Sequence, residues 1–308
     1  MVINHNVNAM MACRYMSIHS ALASNAMKRI SSGFRINSAA DDPAGLCISE
    51  GMRAQIRGLQ QASRNAQDGI SAIQVADGAL AETHSMLQRL RELAVQASNG
   101  TCTPSDRKNI QNEIDQLTSG VNHIATDTEF NTIKLLDSSV YKYDGVNSEL
   151  RLQVRANYGQ NISVKLDDMR SNALNISGIS GATTSSKYGT VTGAFSSTKS
   201  SDASSYALDV STPENASAAI KIYDDAINKV SSSRASLGAT ANTLSFRIDY
   251  LDNTSDILTS AESRIRDADI AKEMMEYAKQ TLLTQVCQAM FAKANHESDS
   301  IIELLKSL

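Results

Sequence analysis

The sequence contains no tryptophan, and only 5% of its 308 residues are aromatic. A thick core built around aromatic side chains is therefore excluded, and Ala, Leu and Ile must supply most of the buried surface. The apolar fraction of 42% is nevertheless sufficient to form a core. This composition favours thin helical bundles.

Long hydrophobic runs and basic blocks are also missing. No segment approaches the roughly 18 apolar residues of a membrane span, and the net charge is -4. We therefore expect no membrane span and no nucleic acid partner. The first residues lack the basic and apolar regions of a cleavable signal peptide. A cytosolic protein is the default expectation, unless export uses an uncleaved route.

The residues that usually carry chemistry are few and scattered. Cys13, Cys47, Cys102 and Cys287 form no CxxC pair, so we expect partly buried free thiols. The five histidines are dispersed, and neither a phosphate-binding glycine loop nor a nucleophile elbow occurs. The sequence therefore predicts no catalytic residue, no metal site, no cofactor and no enzymatic activity.

Proline is rare, and its three positions predict helix starts. Each proline follows Asp or Thr, residues that cap helices, and proline is tolerated in the first helical position. We therefore expect helices to begin at Pro43, Pro104 and Pro213, the first of them ending near Ser98.

The stretch from Pro43 to Ser98 has apolar residues at steps of mostly three and four. Some 55 residues would form a helix on the order of 80 Å long, which needs packing partners along its length. The helix from Pro104 and an antiparallel helix from Pro213 are the simplest partners. Gly58, Gly69 and Gly78 inside this helix are either tolerated weak points or places where a neighbouring helix approaches closely.

The apolar period changes to two at Leu150–Val154 and again at Ile162–Leu166, which predicts a β-hairpin. A segment rich in Ser and Thr follows at 177–205 and predicts a surface excursion. The expected fold class is mainly α, a long antiparallel helical bundle or coiled coil with a small β-hairpin region and paired terminal helices. We expect three domains: 1–42 plus 264–308, 43–176 plus 206–263, and the variable segment 177–205.

Both ends of the chain are weakly charged amphipathic helices, and each has an apolar face that the other does not fully cover. Such faces predict self-association, because soluble monomers rarely expose large apolar patches. We expect the ends to be loose in the monomer and to become ordered when neighbouring copies cover them.

Several long motifs occur in the order found in bacterial flagellins, and the chain resembles a short member of that family. The N-terminal motifs are Ile30–Asn37, Asp41–Leu46, Gln61–Ile70 and Leu87–Gln96; the C-terminal motifs are Arg234–Ala239 and Ser263–Asp269. The resemblance covers residues 1–176 and 215–308. The cysteines are a departure, because cysteine is uncommon in flagellins.

The resemblance implies a secreted, self-assembling filament subunit that serves motility. It implies export through the flagellar type III apparatus, a homopolymer in the extracellular flagellum, and partners that include an export chaperone and the hook-associated junction and cap proteins. It also implies recognition by the host receptor Toll-like receptor 5 through Arg89, Leu93 and Glu113, which also lie in subunit contacts. Further candidate contacts are Gln88, Arg91, Glu92 and Gln96. Leu117 stands where some receptor-active members have Arg.

Two other interpretations are kept. A hook-filament junction protein shares the terminal helices, although the motifs at 88–96 and 264–269 favour flagellin. A cytosolic coiled-coil scaffold would stay monomeric or dimeric and form no filaments.

Overall fold

The computed structural model describes residues 6–137, 149–178, 183–185, 192–194 and 206–306, without the side chains of 183–185, 192–194 and 297–306. The described residues are mainly helical, which confirms the predicted fold class. The helices are α1 (Val7–Ser32), α2 (Pro43–Ser98), α3 (Pro104–Asp127), α4 (Pro213–Arg266) and α5 (Ile270–Lys306). The helix starts predicted from the three prolines are confirmed.

The helix ends follow from local chemistry. At α3, the Thr103 side chain accepts from the Asp106 amide at 3.2 Å, and the Asp106 carboxylate accepts from the Thr103 amide at 3.0 Å. This reciprocal capping satisfies two donors that a helix N-terminus leaves unpaired. At the end of α1, Gly33 has φ +74° and its amide donates to the Arg29 carbonyl. Glycine suits that left-handed position because it has no Cβ.

The strands form four antiparallel pairs among the described residues. They are β1 (Glu129–Phe130) with β2 (Ile133–Lys134), β3 (Glu149–Gln153) with β4 (Asn161–Lys165), β5 (Ser177–Gly178) with β8 (Tyr206–Ala207), and β6 (Thr183–Ser185) with β7 (Thr192–Ala194). The predicted β3–β4 hairpin is confirmed, with Leu150 opposite Val164. The β1–β2 pair follows α3 directly in the chain. Most of 177–205 lies outside the described residues.

The chain divides into two compact units, and the first consists of residues 1–57 and 254–308. Here α1 and α5 pair in antiparallel orientation, because His19 lies 2.7 Å from Gln280 while Arg29, further along α1, lies 3.4 Å from Glu273. The apolar pattern of the sequence runs on through residues 261–289. The structure instead ends α4 at Arg266, because residue 267 forms a β-bridge with residue 34.

The second unit, residues 58–253, contains the main core. Asp77 and Arg91 of α2 bind Arg234 and Asp224 of α4 at 2.7 and 2.5 Å, so the two helices run antiparallel there, as predicted. Fully buried side chains of α2, α3 and α4 and of the loops between them fill the space between these helices: Leu80, Leu87, Leu90, Ile114, Leu136, Met169, Tyr223 and Leu237. The predicted division into three domains stays a prediction.

The structure decides between the two interpretations of the α2 glycines. A Cβ on Gly58 would lie 2.8 Å from the Ala156 Cβ, and one on Gly69 would collide with Leu152. These two glycines allow close approach, although the neighbour is the β3–β4 hairpin and its connection, not a helix. A Cβ on Gly78 would have no neighbour within 4 Å among the described residues, so Gly78 is a tolerated weak point.

Candidate functional site

The predicted contact residues of α2 lie beside α3, and Arg89 connects the two helices. Its guanidinium donates to the Glu113 carboxylate at 2.9 and 2.8 Å, and also to Glu92 at 3.3 Å. The hydrogen bond with Glu113 raises the pKa of Arg89 above its ordinary value. All three side chains are about half exposed or more. They form an ordered, charged patch in which positive and negative groups alternate.

Three other predicted contacts also face solvent. Arg91 pairs with Asp224 of α4 at 2.5 Å, and Gln88 lies 2.9 Å from His84 one turn earlier. Gln96 is exposed near the end of α2. Arg91 therefore reaches a different helix from Arg89, and the predicted residues spread along α2 between α3 and α4.

Leu93 differs from the rest of the predicted group. Its side chain is 2% exposed and belongs to the core of α2, α3 and α4. The structure therefore does not bring Leu93 to the surface beside Arg89 and Glu113. Leu117, which the resemblance singled out as a departure, is partly buried against the same core.

A second candidate surface is the outer face of the α1–α5 pair. Large apolar side chains remain exposed on both helices, for example Met10 at 63% and Met275 at 67%. The others are Val7, Met11, Tyr15, Ile18 and Leu22 on α1, and Ile270, Met274, Leu282, Val286 and Met290 on α5. This set, called here the terminal apolar face, agrees with the uncovered stripes predicted from the sequence.

A cluster that no sequence pattern predicts lies where α1 leads towards α2 and α4 meets α5. The guanidinium carbons of Arg53 and Arg266 lie 5.5 and 5.0 Å from the centre of the Phe34 ring. Arg266 donates to Glu50 at 2.6 Å, and Arg53 pairs with Glu262 at 3.0 Å. The hydrogen bond from Arg266 lowers the pKa of Glu50. We call this set the Phe34 cluster; its residues are up to 232 positions apart in sequence, so no local pattern reveals it.

Catalytic or metal chemistry gains no support in the described part of the chain. No group of three His, Cys, Asp or Glu side chains is placed there to hold a metal ion. The four cysteines are free; Cys13 and Cys47 are exposed, contrary to the expected partial burial, while Cys102 and Cys287 are half-buried. No helix among the described residues is long and apolar enough to cross a membrane.

Comparisons with known proteins point to one family. The chain matches the model of the bacterial flagellin N-terminal helical region over residues 3–140 and that of the C-terminal helical region over residues 220–305. The flagellin of Bacillus subtilis (strain 168) is 45% identical over 314 residues, covering 99% of this chain and 100% of that protein. The flagellar filament 33 kDa core protein of Treponema phagedenis is 40% identical over 309 residues, with coverage of 99% and 100%.

One solved structure shares the fold. A chain assigned as a flagellar hook-associated protein in Vibrio parahaemolyticus gives a TM-score of 0.53 at 12% sequence identity, covering 74% of this chain and 100% of that chain. At this identity the likeness concerns the fold alone.

Proposed function

This chain belongs to the flagellin family, whose members are structural subunits of the exported, extracellular flagellar filament and not enzymes, and we propose that its terminal apolar face joins one copy to the next. The observation that carries the proposal is the exposure of this face. Met10, Met275 and Leu282 are each at least 60% exposed in the single chain.

The physical argument is the free energy of burial. Covering a large apolar side chain stabilises an association by about 1.5–3 kcal/mol when the side chain becomes fully buried. Many such residues lie along both helices of one antiparallel pair, so a neighbouring pair can cover several at once. When α1 and α5 pack only against each other, these apolar side chains stay exposed to water. Burying them against a neighbouring copy therefore favours a polymer over an isolated subunit.

The experiment is seeded polymerisation of the purified chain, followed by electron microscopy and sedimentation. We expect long helical filaments from the full chain and none from chains that lack residues 1–30 or 268–308. In the full-length chain, Leu282→Glu places a charge in the terminal apolar face and should raise the subunit concentration needed for growth. Gln288→Glu is the matched control, since it adds the same charge to α5 at a polar position.

Filaments of normal length from Leu282→Glu, or from either truncated chain, would contradict the proposal. A full chain that stays monomeric or dimeric under salt and seeding would instead support a cytosolic coiled-coil scaffold.

The terminal apolar face is also a candidate binding surface for the other proteins of the flagellum. An export chaperone, the hook-associated junction proteins and the cap protein each have to meet a subunit whose α1 and α5 are not yet covered by other copies. We propose that they bind α1 and α5, because these two helices expose large apolar side chains in the single chain. The apolar side chains of α2 and α4 in the second unit are instead buried in its core.

For the patch around Arg89 we propose contact with Toll-like receptor 5 in the free subunit, or with the next subunit in the filament. Arg89, Glu92 and Glu113 support this because they are exposed, ordered by their mutual hydrogen bonds, and able to exchange those bonds for a partner's charges. Leu93, which is buried, would act by holding α2 against α3 and not by touching the partner.

The receptor proposal is tested with soluble monomer in a receptor reporter assay. We expect Arg89→Ala to shift the dose response to higher concentration. Arg234→Ala is the matched control, because it removes a similar ion pair with Asp77 elsewhere on the α2–α4 pair. Equal dose responses for Arg89→Ala and the unaltered chain would remove the assigned role.

A further inference from the structure

A cleft of about 520 Å³ lies between α2 and the end of the β3–β4 hairpin. One wall is the helix face of Gly58, Gln61 and Asn65, and the other is the hairpin connection around Arg155. This volume falls in the range of small-molecule sites, about 300–1,000 Å³. The cleft lies within the second unit and takes no part in the surfaces described above.

The cleft walls are held in place by specific contacts. Asn65 donates from its side-chain amide to the Gln153 carbonyl at 3.1 Å, which ties the hairpin to the helix. Gln153 in turn donates to the carbonyls of Arg155 and Asn157 at 2.9 and 2.7 Å, which fixes the connection. Gly58 allows the connection to approach, since a Cβ there would press on Ala156. These contacts therefore fix the shape of the cleft in the free protein.

The charged side chains that line the cleft are all positive. Arg151 and Arg155 are among the lining residues, and none of the described lining residues is Asp or Glu. The Arg155 Nε atom is buried and has no hydrogen-bond partner among the described residues, and the guanidinium lies over the Tyr250 ring at 5.5 Å. A buried guanidinium donor without an acceptor is costly. An anion in the cleft would be attracted by the positive charge of both guanidinium groups.

The uncharged residues that line the cleft indicate which chemical groups the rest of the ligand would carry. Amide side chains dominate it: Gln61, Asn65, Gln153, Asn157 and Asn161. Amides both donate and accept hydrogen bonds, which suits a ligand with many hydroxyl groups. Tyr158 is fully exposed at the cleft and offers a ring face for an apolar side of that ligand.

We propose that this cleft binds a sugar that carries a carboxylate. The carboxylate would lie against Arg151 and Arg155, whose planar guanidinium groups match its two oxygens, and the sugar hydroxyls would meet the amides. A protein partner fits less well, because the centre of a protein interface is depleted in charge and enriched in apolar side chains. Apart from Tyr158, the apolar lining residues are small.

The test is calorimetric titration of the full-length monomer with two disaccharides of the same size. Cellobiouronic acid has a carboxylate where cellobiose has a hydroxymethyl group. We expect cellobiouronic acid to bind about tenfold more tightly than cellobiose or better, as one charged hydrogen-bonded pair implies. Arg155→Gln should abolish this preference. Lys165→Gln is the matched control: it removes the same charge from the same hairpin outside the cleft.

Asn157→Asp provides a second variant, which keeps the size and shape of the side chain and leaves the Asn157 backbone carbonyl that accepts from Gln153 in place. Its added carboxylate should repel cellobiouronic acid, and we therefore expect it to weaken binding of the acid more than binding of cellobiose. Equal binding of the two disaccharides, an undiminished preference in Arg155→Gln or Asn157→Asp, or no saturable binding of the acid would overturn the proposal. Binding of an oligoglutamate peptide in place of the acidic sugar would overturn it in favour of a protein partner.

Discussion

The guanidinium carbon of Arg266 lies 5.0 Å from the centre of the Phe34 ring. The two residues stand at chain turns that are distant in sequence, the end of α1 and the end of α4. Two backbone hydrogen bonds join the same turns: Arg35 donates to the Arg266 carbonyl at 2.7 Å, and Ala268 donates to the Gly33 carbonyl at 2.9 Å. The Phe34 cluster therefore fixes the place from which α1 and α5 extend as a pair.

The first prediction concerns Phe34→Ala. It removes two cation–π contacts, with Arg53 and Arg266, each worth about 0.5–1 kcal/mol at exposed sites. We expect the Arg35 and Ala268 amides to exchange hydrogen about tenfold faster, as roughly 1.4 kcal/mol implies. Phe246→Ala is the control, because Phe246 is 75% exposed. Unchanged exchange at both amides in Phe34→Ala would show that the ring does not hold the turns.

The second prediction uses the glycines of α2. Gly78→Ala should raise the free energy of unfolding by about 0.5–1 kcal/mol, because alanine is the better helix former and the site is open. Gly58→Ala should lower it, because the new methyl group meets Ala156 at 2.8 Å. Thermal unfolding of the two variants should therefore move in opposite directions. A stabilising Gly58→Ala would mean that the hairpin moves away without cost.

These glycines show how far sequence reasoning reaches. The helix starts at Pro43, Pro104 and Pro213 were predictable because proline and its preceding cap act locally. Whether a given glycine of α2 is a tolerated weak point or allows close approach was not predictable, because this depends on the β3–β4 hairpin, which is more than eighty residues away in sequence. The sequence around these glycines does not indicate which element packs against them.

Leu93 illustrates the same limit at the candidate site. The apolar stripe of α2 runs through Leu90, Ala94 and Ala97, and family resemblance alone places Leu93 on the contact surface. In the structure it is 2% exposed, because α3 and α4 together cover a wider face of α2 than one partner would. A helix packed by two neighbours buries adjacent positions in each turn, and periodicity alone does not reveal the number of neighbours.

The third prediction concerns Gln111, which is buried on α3. Its side chain donates to the Leu208 carbonyl at 3.0 Å and accepts from the Val210 amide at 2.8 Å, so it holds the segment that leads into α4. Gln111→Ala leaves both backbone groups without this partner, and we expect a loss of about 2–4 kcal/mol from two unsatisfied groups. Chemical denaturation measures it. Gln116→Ala, at an exposed position of the same helix, should change stability little; equal losses would contradict the assigned role.

The fourth prediction concerns thiol reactivity. Cys13 and Cys47 are exposed and should be the first to react with an alkylating reagent in the monomer, ahead of the half-buried Cys102 and Cys287. Since Cys13 lies on α1, polymerisation through the terminal apolar face should slow its reaction. Mass spectrometry of alkylated peptides from monomer and filament measures both effects. If Cys13 reacts at the same rate in both, α1 stays uncovered in the polymer.

The last prediction concerns Tyr223, which is fully buried in α4. Burial, together with the nearby charge of Asp115, raises the pKa of its hydroxyl above the ordinary value of 10.0. The folded protein therefore keeps this proton while the unfolded chain releases it, so the contribution of Tyr223 to stability is complete below about pH 10 and declines as pH rises beyond it. The hydroxyl has no hydrogen-bond partner among the described residues, so Tyr223→Phe should cost little near neutral pH. Above about pH 10 the variant should be the more stable protein, and denaturation at about pH 8 and above about pH 10 tests this; parallel pH profiles would mean that Tyr223 keeps its ordinary pKa.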